Sequence, residues 1–187
     1  FMGSTKFCLI IPQSPFLLDE RVFMHLGILK IASVLREGGC RVDVLDFSGV
    51  KEDDSQDILS LYIQDNPEVD NFGLTATTPQ IPFAVKLSHR IRELTPHSKL
   101  ILGGTHVSLM HSAYKKELKS DKAGRATHDI KRLQNLFDIL VTGDGEKIIF
   151  EALKVEKGIL DADDPKTDYF LTPDEFSDLP LPARDLV

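Results

Sequence analysis

Apolar residues in this chain come in two kinds of stretch. Short, largely apolar runs fall at residues 6–11, 69–74, 99–102 and 137–141, and a run of alternating character falls at 41–47. Between them, apolar residues recur every three or four positions. The short runs predict strands, most of them buried on both faces, and the periodic stretches predict helices. Residues 27–37 carry Ile28, Ile31, Ala32 and Leu35 on one helical face, and Gly38-Gly39 ends that helix. Residues 48–66 form a polar, acidic connection with a helical core at Ile58, Leu59, Tyr62 and Ile63. Pro82 opens the next helix, with Phe83, Val85, Leu87, Ile91 and Leu94 on its apolar face and Pro96 beyond its end. A hydrophobic helical turn is expected over 107–118, a polar loop over 119–128, a short helix over 129–136 and a closing helix over 146–156.

Five alternations of strand and helix predict an α/β, doubly wound, flavodoxin-like parallel sheet of five strands in the order 2-1-3-4-5. In such a sheet the loops after the strands gather at one edge, where ligands bind. These loops are rich in small and hydroxyl residues. They hold Gln13 and Ser14 after strand one, and Thr75, Ala76, Thr77 and Thr78 after strand three. Gly103, Gly104, Thr105 and His106 follow strand four, and Gly143, Asp144, Gly145 and Glu146 follow strand five. All are candidate cofactor-binding residues. The connection over 12–25 is long for its kind, carries Phe16, Leu17 and Leu18, and is read as functional. Beyond Gly158 the periodicity stops. Residues 6–160 are expected to be the folded domain and 161–187 an irregular linker with few core contacts. Residues 1–5 have the look of an expression remnant.

With 42% hydrophobic and 27% charged residues, the 187-residue chain is of ordinary globular composition. Its net charge of −7 argues against a nucleic-acid surface. No apolar run approaches the ~20 residues that span a bilayer. Cys8 and Cys40 sit in or beside apolar strands and read as buried thiols in a reducing cytosol. The acidic run Glu52-Asp53-Asp54 suits a helix N-terminus better than a metal cage, and no protein metal site is expected.

Several occupants of this architecture lack their residues here. Pro12-Gln13-Ser14-Pro15 stands where a dinucleotide fold needs Gly-x-Gly-x-x-Gly. No Gly-Lys-Ser/Thr phosphate loop is present, and strands one and three end without the aspartates of a receiver domain. A flavodoxin-type FMN site would put its hydroxyl-rich loop first, whereas here it follows strand three. Gly143-Asp144-Gly145-Glu146 puts two carboxylates at a helix start, which repels an anion but accepts hydrogen bonds from neutral amides. Small residues Gly73, Thr75, Ala76, Gly103, Gly104 and Gly143 leave volume at the strand ends. A large, amide-bearing ligand with an apolar arm fits that volume better than a compact phosphate ester.

The order and spacing of these motifs resemble the N-terminal cobalamin-binding domain of cobalamin-dependent radical SAM enzymes. The likeness runs through Pro12, residues 27–39, Val42-Asp43-Val44-Leu45-Asp46 and Gly73-Leu74-Thr75-Ala76-Thr77-Thr78-Pro79. It continues through Leu102-Gly103-Gly104-Thr105-His106, Val141-Thr142-Gly143-Asp144-Gly145-Glu146 and Leu179-Pro180-Leu181-Pro182-Ala183-Arg184. The resemblance implies cobalamin across the C-terminal edge of the sheet, its nucleotide tail running beside strands three and four. It implies a partner too, a C-terminal radical SAM barrel of the same parent protein. That barrel would hold the iron–sulfur cluster and S-adenosylmethionine, since this chain has no Cys-x-x-x-Cys-x-x-Cys. The cobalamin modules of methyltransferases and mutases carry Asp-x-His-x-x-Gly, whose histidine ligates cobalt. Here Phe23 and Ile28 replace the Asp and Gly around His25, which is expected to pack at the helix start instead. His106 is expected to point into the crevice, and His89, His97, His111 and His128 to lie on the surface. The alternatives are a stand-alone flavodoxin-like flavin or nucleotide binder and an interaction domain with an empty cleft. No nucleophile–base pair at the strand ends favours a complete enzyme.

Overall fold

The computed structural model describes residues 5–15 and 24–187. Phe1 to Ser4 of the expected remnant, and Phe16, Leu17, Leu18 and Phe23 of the long loop, lie outside the described residues. Strands β1 (Lys6–Ile11), β2 (Arg41–Asp46), β3 (Asn71–Thr75), β4 (Lys99–Gly103), β5 (Ile139–Thr142) and β6 (Gly158–Asp161) alternate with helices. The helices are α1 (Leu26–Glu37), α2 (Glu52–Asp65), α3 (Ile81–Leu94), α4 (Thr105–Lys119), α5 (Arg125–Leu136), α6 (Gly145–Lys154) and α7 (Pro173–Asp178). Among the described residues the sheet has six strands in the order β2-β1-β3-β4-β5-β6, every pair parallel.

The alternation of side chains along the strands divides the core in two. Cys8, Ile10, Phe72, Leu74, Leu100, Leu102 and Leu140 face α2, α3, α4 and α5. Phe7, Leu9, Ile11, Ile101, Ile139 and Val141 face α1 and α6. The inner strands β1, β3, β4 and β5 bury both faces, which is why their sequences read as apolar runs rather than as alternation. Cys8 and Cys40 are buried free thiols, as expected. The chain reverses its direction of travel across the sheet between β1 and β3, so the crevice of a doubly wound fold opens beside their carboxyl ends.

Three sequence expectations need correction. The sheet has a sixth strand. β6 is four residues long, half-buried and at the edge, too short and too mixed to stand out as a run. Its register against β5 pairs Ile139 with Gly158 and Thr142 with Asp161. Helix α5 begins at Arg125 rather than at 129. The Glu117 carboxylate, projecting from α4, accepts the N–H groups of Gly124, Ala126 and Thr127 and the Thr127 hydroxyl. That tertiary cap satisfies donors of the first turn, and local sequence does not reveal it.

The tail, finally, does carry core contacts. Ala162, Leu171 and Ala183 are buried, and residues 173–178 form α7. The Ala183 N–H donates to the Leu29 carbonyl, and the Ser33 hydroxyl to the Leu181 carbonyl. Lys30 donates to the carbonyls of Phe176 and Leu179, with its ammonium 4.5 Å from the Phe176 ring centre. Arg36 pairs with Asp185 and Lys147 with Glu175. The segment is a strap across α1 and α6.

Candidate functional site

The α1/α6 face of the sheet lacks side chains in one place. In register, Leu9 pairs with Gly73 and Gly73 with Ile101; one step further on, Thr75 pairs with Gly103. Gly103 therefore leaves the carboxyl end of β4 uncovered, whereas the space expected at Gly73 is taken by the Leu9 and Phe7 side chains, 2.8 and 3.2 Å from where its Cβ would lie. The result is a narrow apolar cleft of about 60 Å³. Its walls are Leu9, Ile101 and Val141 from the strands, Ile28 and Ile31 from α1, and Ile149 from α6, with Leu74, whose side chain faces the opposite core, also bordering it. Thr75, Gly73, Gly103, Gly104, Gly143 and Gly145 complete it.

The glycines do different work. A Cβ on Gly103 would lie 3.8 Å from its nearest neighbour, the Val141 carbonyl, so a side chain there is admitted in ordinary contact with Val141 at the cleft wall. Gly104 has φ +99°, and a Cβ would lie 2.7 Å from both the N and O of Ala76. Gly143, at φ +74°, comes as close to Ala162 and Asp163. Gly104 and Gly143 thus allow tight backbone crossings, not ligand volume. Gly145 lets α6 approach Ile31 of α1.

Of the expected site residues, Thr75, Gly103, Gly104, Gly143 and Gly145 line the cleft. The others stand around it. Gln13 is 5% exposed; its Nε2 donates to Ser55 Oγ at 3.3 Å, and its Oε1 is buried without a partner among the described residues. Ser14 is half-buried on the loop after β1. The Ala76 side chain is buried in the opposite core, its N–H donating to Gly103 and its carbonyl accepting from His106. Gln80 Oε1 accepts from both the backbone and the hydroxyl of Thr77, and its Nε2 donates to the Pro12 carbonyl, tying the ends of β1 and β3. Thr105 and Asp144 are exposed.

Glu146 is buried and turned to a second groove, beside Phe150, Leu171 and Leu179. Burial, with Asp144 nearby, pushes its carboxyl above the usual range, while its own backbone N–H and Lys30 oppose the shift. His106 does not enter the cleft. It is buried with Nδ1 3.0 Å from Thr78 Oγ1 and Nε2 2.8 Å from Asp129 Oδ2. His25 sits at the start of α1 as expected, its Nε2 3.4 Å from Ser48 Oγ.

His111 is buried, not superficial, 3.7 Å from Asp161 Oδ2; burial lowers its pKa. Asp161 also takes hydrogen bonds from Lys115 and Thr142, and these hold its carboxyl below the usual range against its burial. Sequence reasoning missed the aliphatic walls of the cleft. Ile28 and Ile31 carried a signal, since they recur on the face of α1 that meets the sheet, but that signal reads equally as core.

Residues 21–128 match the model of the B12 binding domain. The chain belongs to the B12-binding domain family. Among solved structures, this B12-binding domain is similar to the radical S-adenosylmethionine methyltransferase TsrM from Kitasatospora setae, a structure with tryptophan substrate and a SAM analog bound. Identity is 19% and the TM-score 0.58, over 80% of this chain and 25% of that one, a likeness of fold. No curated protein matches. Among the described residues, no helix is long and apolar enough to cross a membrane.

Proposed function

We propose that this chain is the cobalamin-binding module of a larger radical SAM enzyme of the methylase or cyclase type, and that it binds cobalamin without a cobalt-ligating histidine. The observation that carries the reading is the cleft over Gly73 and Gly103 in a B12-binding domain: an apolar slot, open at Gly103, suited to a flat aromatic base on a flexible tail. Gln13, Thr75 and Thr78 supply polar groups at the strand ends for the amide-rich remainder. Bound cobalamin would supply carbon–cobalt chemistry, which the protein orients.

Two features support the absence of a histidine ligand. Where Asp-x-His-x-x-Gly would place glycine, Ile28 walls the cleft, and His25 lies within reach of Ser48. The S-adenosylmethionine and the iron–sulfur cluster belong, in this reading, to a C-terminal barrel reached through residues 161–187. The chain spans only a quarter of the methyltransferase it resembles in fold, which is consistent with a module.

The test is to incubate the purified chain and its His25→Ala variant with hydroxocobalamin, desalt, and record the visible spectrum. Both should retain the red chromophore in equal amount. Loss in His25→Ala alone would show that His25 is a ligand. Retention of a yellow flavin in place of cobalamin would favour a flavodoxin-like binder.

A further inference from the structure

Three side chains from three elements form one hydrogen-bonded line. Thr78 lies on the single helical turn after β3, three residues beyond Thr75 of the cleft. His106 lies in the first turn of α4, two residues beyond Gly104, and Asp129 lies on α5. Arg132 donates to Asp129 Oδ1 at 3.1 Å, leaving Oδ2 for His106 Nε2 at 2.8 Å. His106 Nδ1 is 3.0 Å from the Thr78 hydroxyl. The imidazole is 6% exposed, while Thr78 is open to solvent.

The line has one consistent proton arrangement when the imidazole is neutral. A carboxylate paired with arginine only accepts, so Nε2 carries the ring proton. Nδ1 is then bare and accepts from the Thr78 O–H. The only proton of that hydroxyl is committed inward, and its two lone pairs are left to accept from outside.

We propose that Asp129 and His106 are positioning residues that fix the Thr78 hydroxyl as an outward hydrogen-bond acceptor, and that it receives an N–H donor from a primary amide of the ligand at the rim of the cleft. The choice of ligand rests on the cobalamin reading, because the corrin periphery carries such amides. The relay itself stands on the geometry. It accounts for three features together: a buried histidine beside the site that does not enter the cleft, an aspartate whose two oxygens are both assigned, and an exposed threonine with an oriented hydroxyl.

Asp129→Asn inverts the line without changing its shape. Arg132 still requires an acceptor, so the amide oxygen faces it and the amide NH2 faces Nε2. His106 must then carry its proton on Nδ1 and donate to Thr78, whose hydroxyl becomes an outward donor. Histidine-selective ¹⁵N spectra read the tautomer without any ligand. Wild type at neutral pH should show His106 protonated at Nε2, and Asp129→Asn should show it protonated at Nδ1. A wild-type Nδ1–H tautomer, or an imidazolium, overturns the relay.

Hydroxocobalamin titrations then read its consequence. Thr78→Val and Asp129→Asn should each weaken binding about fivefold, the size of one hydrogen bond, and Thr78→Ser should restore it. The double variant Thr78→Val/Asp129→Asn should bind no more weakly than Thr78→Val alone, because Asp129 acts only through that hydroxyl. Losses that multiply in the double variant would show a separate structural role for Asp129 and overturn the proposal. A wild-type chain that takes up no hydroxocobalamin overturns the cobalamin reading and the identity of the donor, whatever the tautomer spectrum shows.

Discussion

Two adjacent glycines at the end of β4 have opposite roles, and the difference is set by where a Cβ would point. Gly103 opens onto the cleft, while Gly104 turns the chain at positive φ against the backbone of Ala76. Replacing Gly104 with Val should therefore damage the fold itself. Backbone strain and a contact that cannot relax together cost about 2–4 kcal/mol, and the thermal midpoint should fall by roughly 5 °C or more. A Gly104→Val protein that melts like wild type would remove that distinction.

Glu117 gives a pH signature. Hydrogen bonds from the Thr127 hydroxyl and then from backbone N–H groups hold its carboxyl at about 2, below its ordinary 4.5, despite some desolvation. A depressed folded pKa contributes stability that is fully present above 4.5 and is lost as pH falls toward about 2. The melting difference between wild type and Glu117→Gln should thus be widest above 4.5 and close below it. A difference independent of pH over that window would count against the charged cap. In the sequence the double glycine was visible but its division of labour was not, because φ and the Ala76 approach are tertiary facts. Glu117 was invisible for the same reason, since its partners lie seven to ten residues away across a turn.

At the scale of elements, long periodic segments were legible and short edge pieces were not. The apolar runs of β1, β3, β4 and β5 are buried on both faces and stand out, as does the spacing of α1 and α3. β6 did not, because four half-buried residues carry too little pattern. The tail was misread because its order comes from scattered bonds to α1 rather than from a face of its own. Lys30 and Ser33 hold the strap while Ile28 and Ile31, on the same helix, wall the cleft. Removing residues 162–187 should lower the thermal midpoint by about 5 °C or more, given the loss of several buried contacts and hydrogen bonds. An unchanged midpoint would mean that the strap is only draped on the domain.

For the whole molecule, the parallel sheet and its chain reversal place one cleft at the carboxyl edge, with α1 and α6 as its lips. The sequence reading pointed to this edge, five of its expected residues line the cleft, and its family resemblance agrees with the B12-binding domain match over residues 21–128. The aliphatic walls escaped it, because a cleft lined by Leu9, Ile28, Ile101 and Val141 has the composition of a core. A ligand bound there only in the folded state must stabilise the chain, so saturating hydroxocobalamin should raise the melting temperature.

The most direct test of the central claim, that cobalamin enters the cleft above Gly103, is an absorbance titration of wild type and Gly103→Val with hydroxocobalamin under identical conditions. Gly103 ends a strand and a Cβ added there meets nothing nearer than 3.8 Å, so valine is compatible with the fold and its circular dichroism should match wild type. Its side chain fills the slot, and affinity should fall at least about tenfold, the effect of ~1.4 kcal/mol. A folded Gly103→Val protein that binds hydroxocobalamin as tightly as wild type would contradict the account.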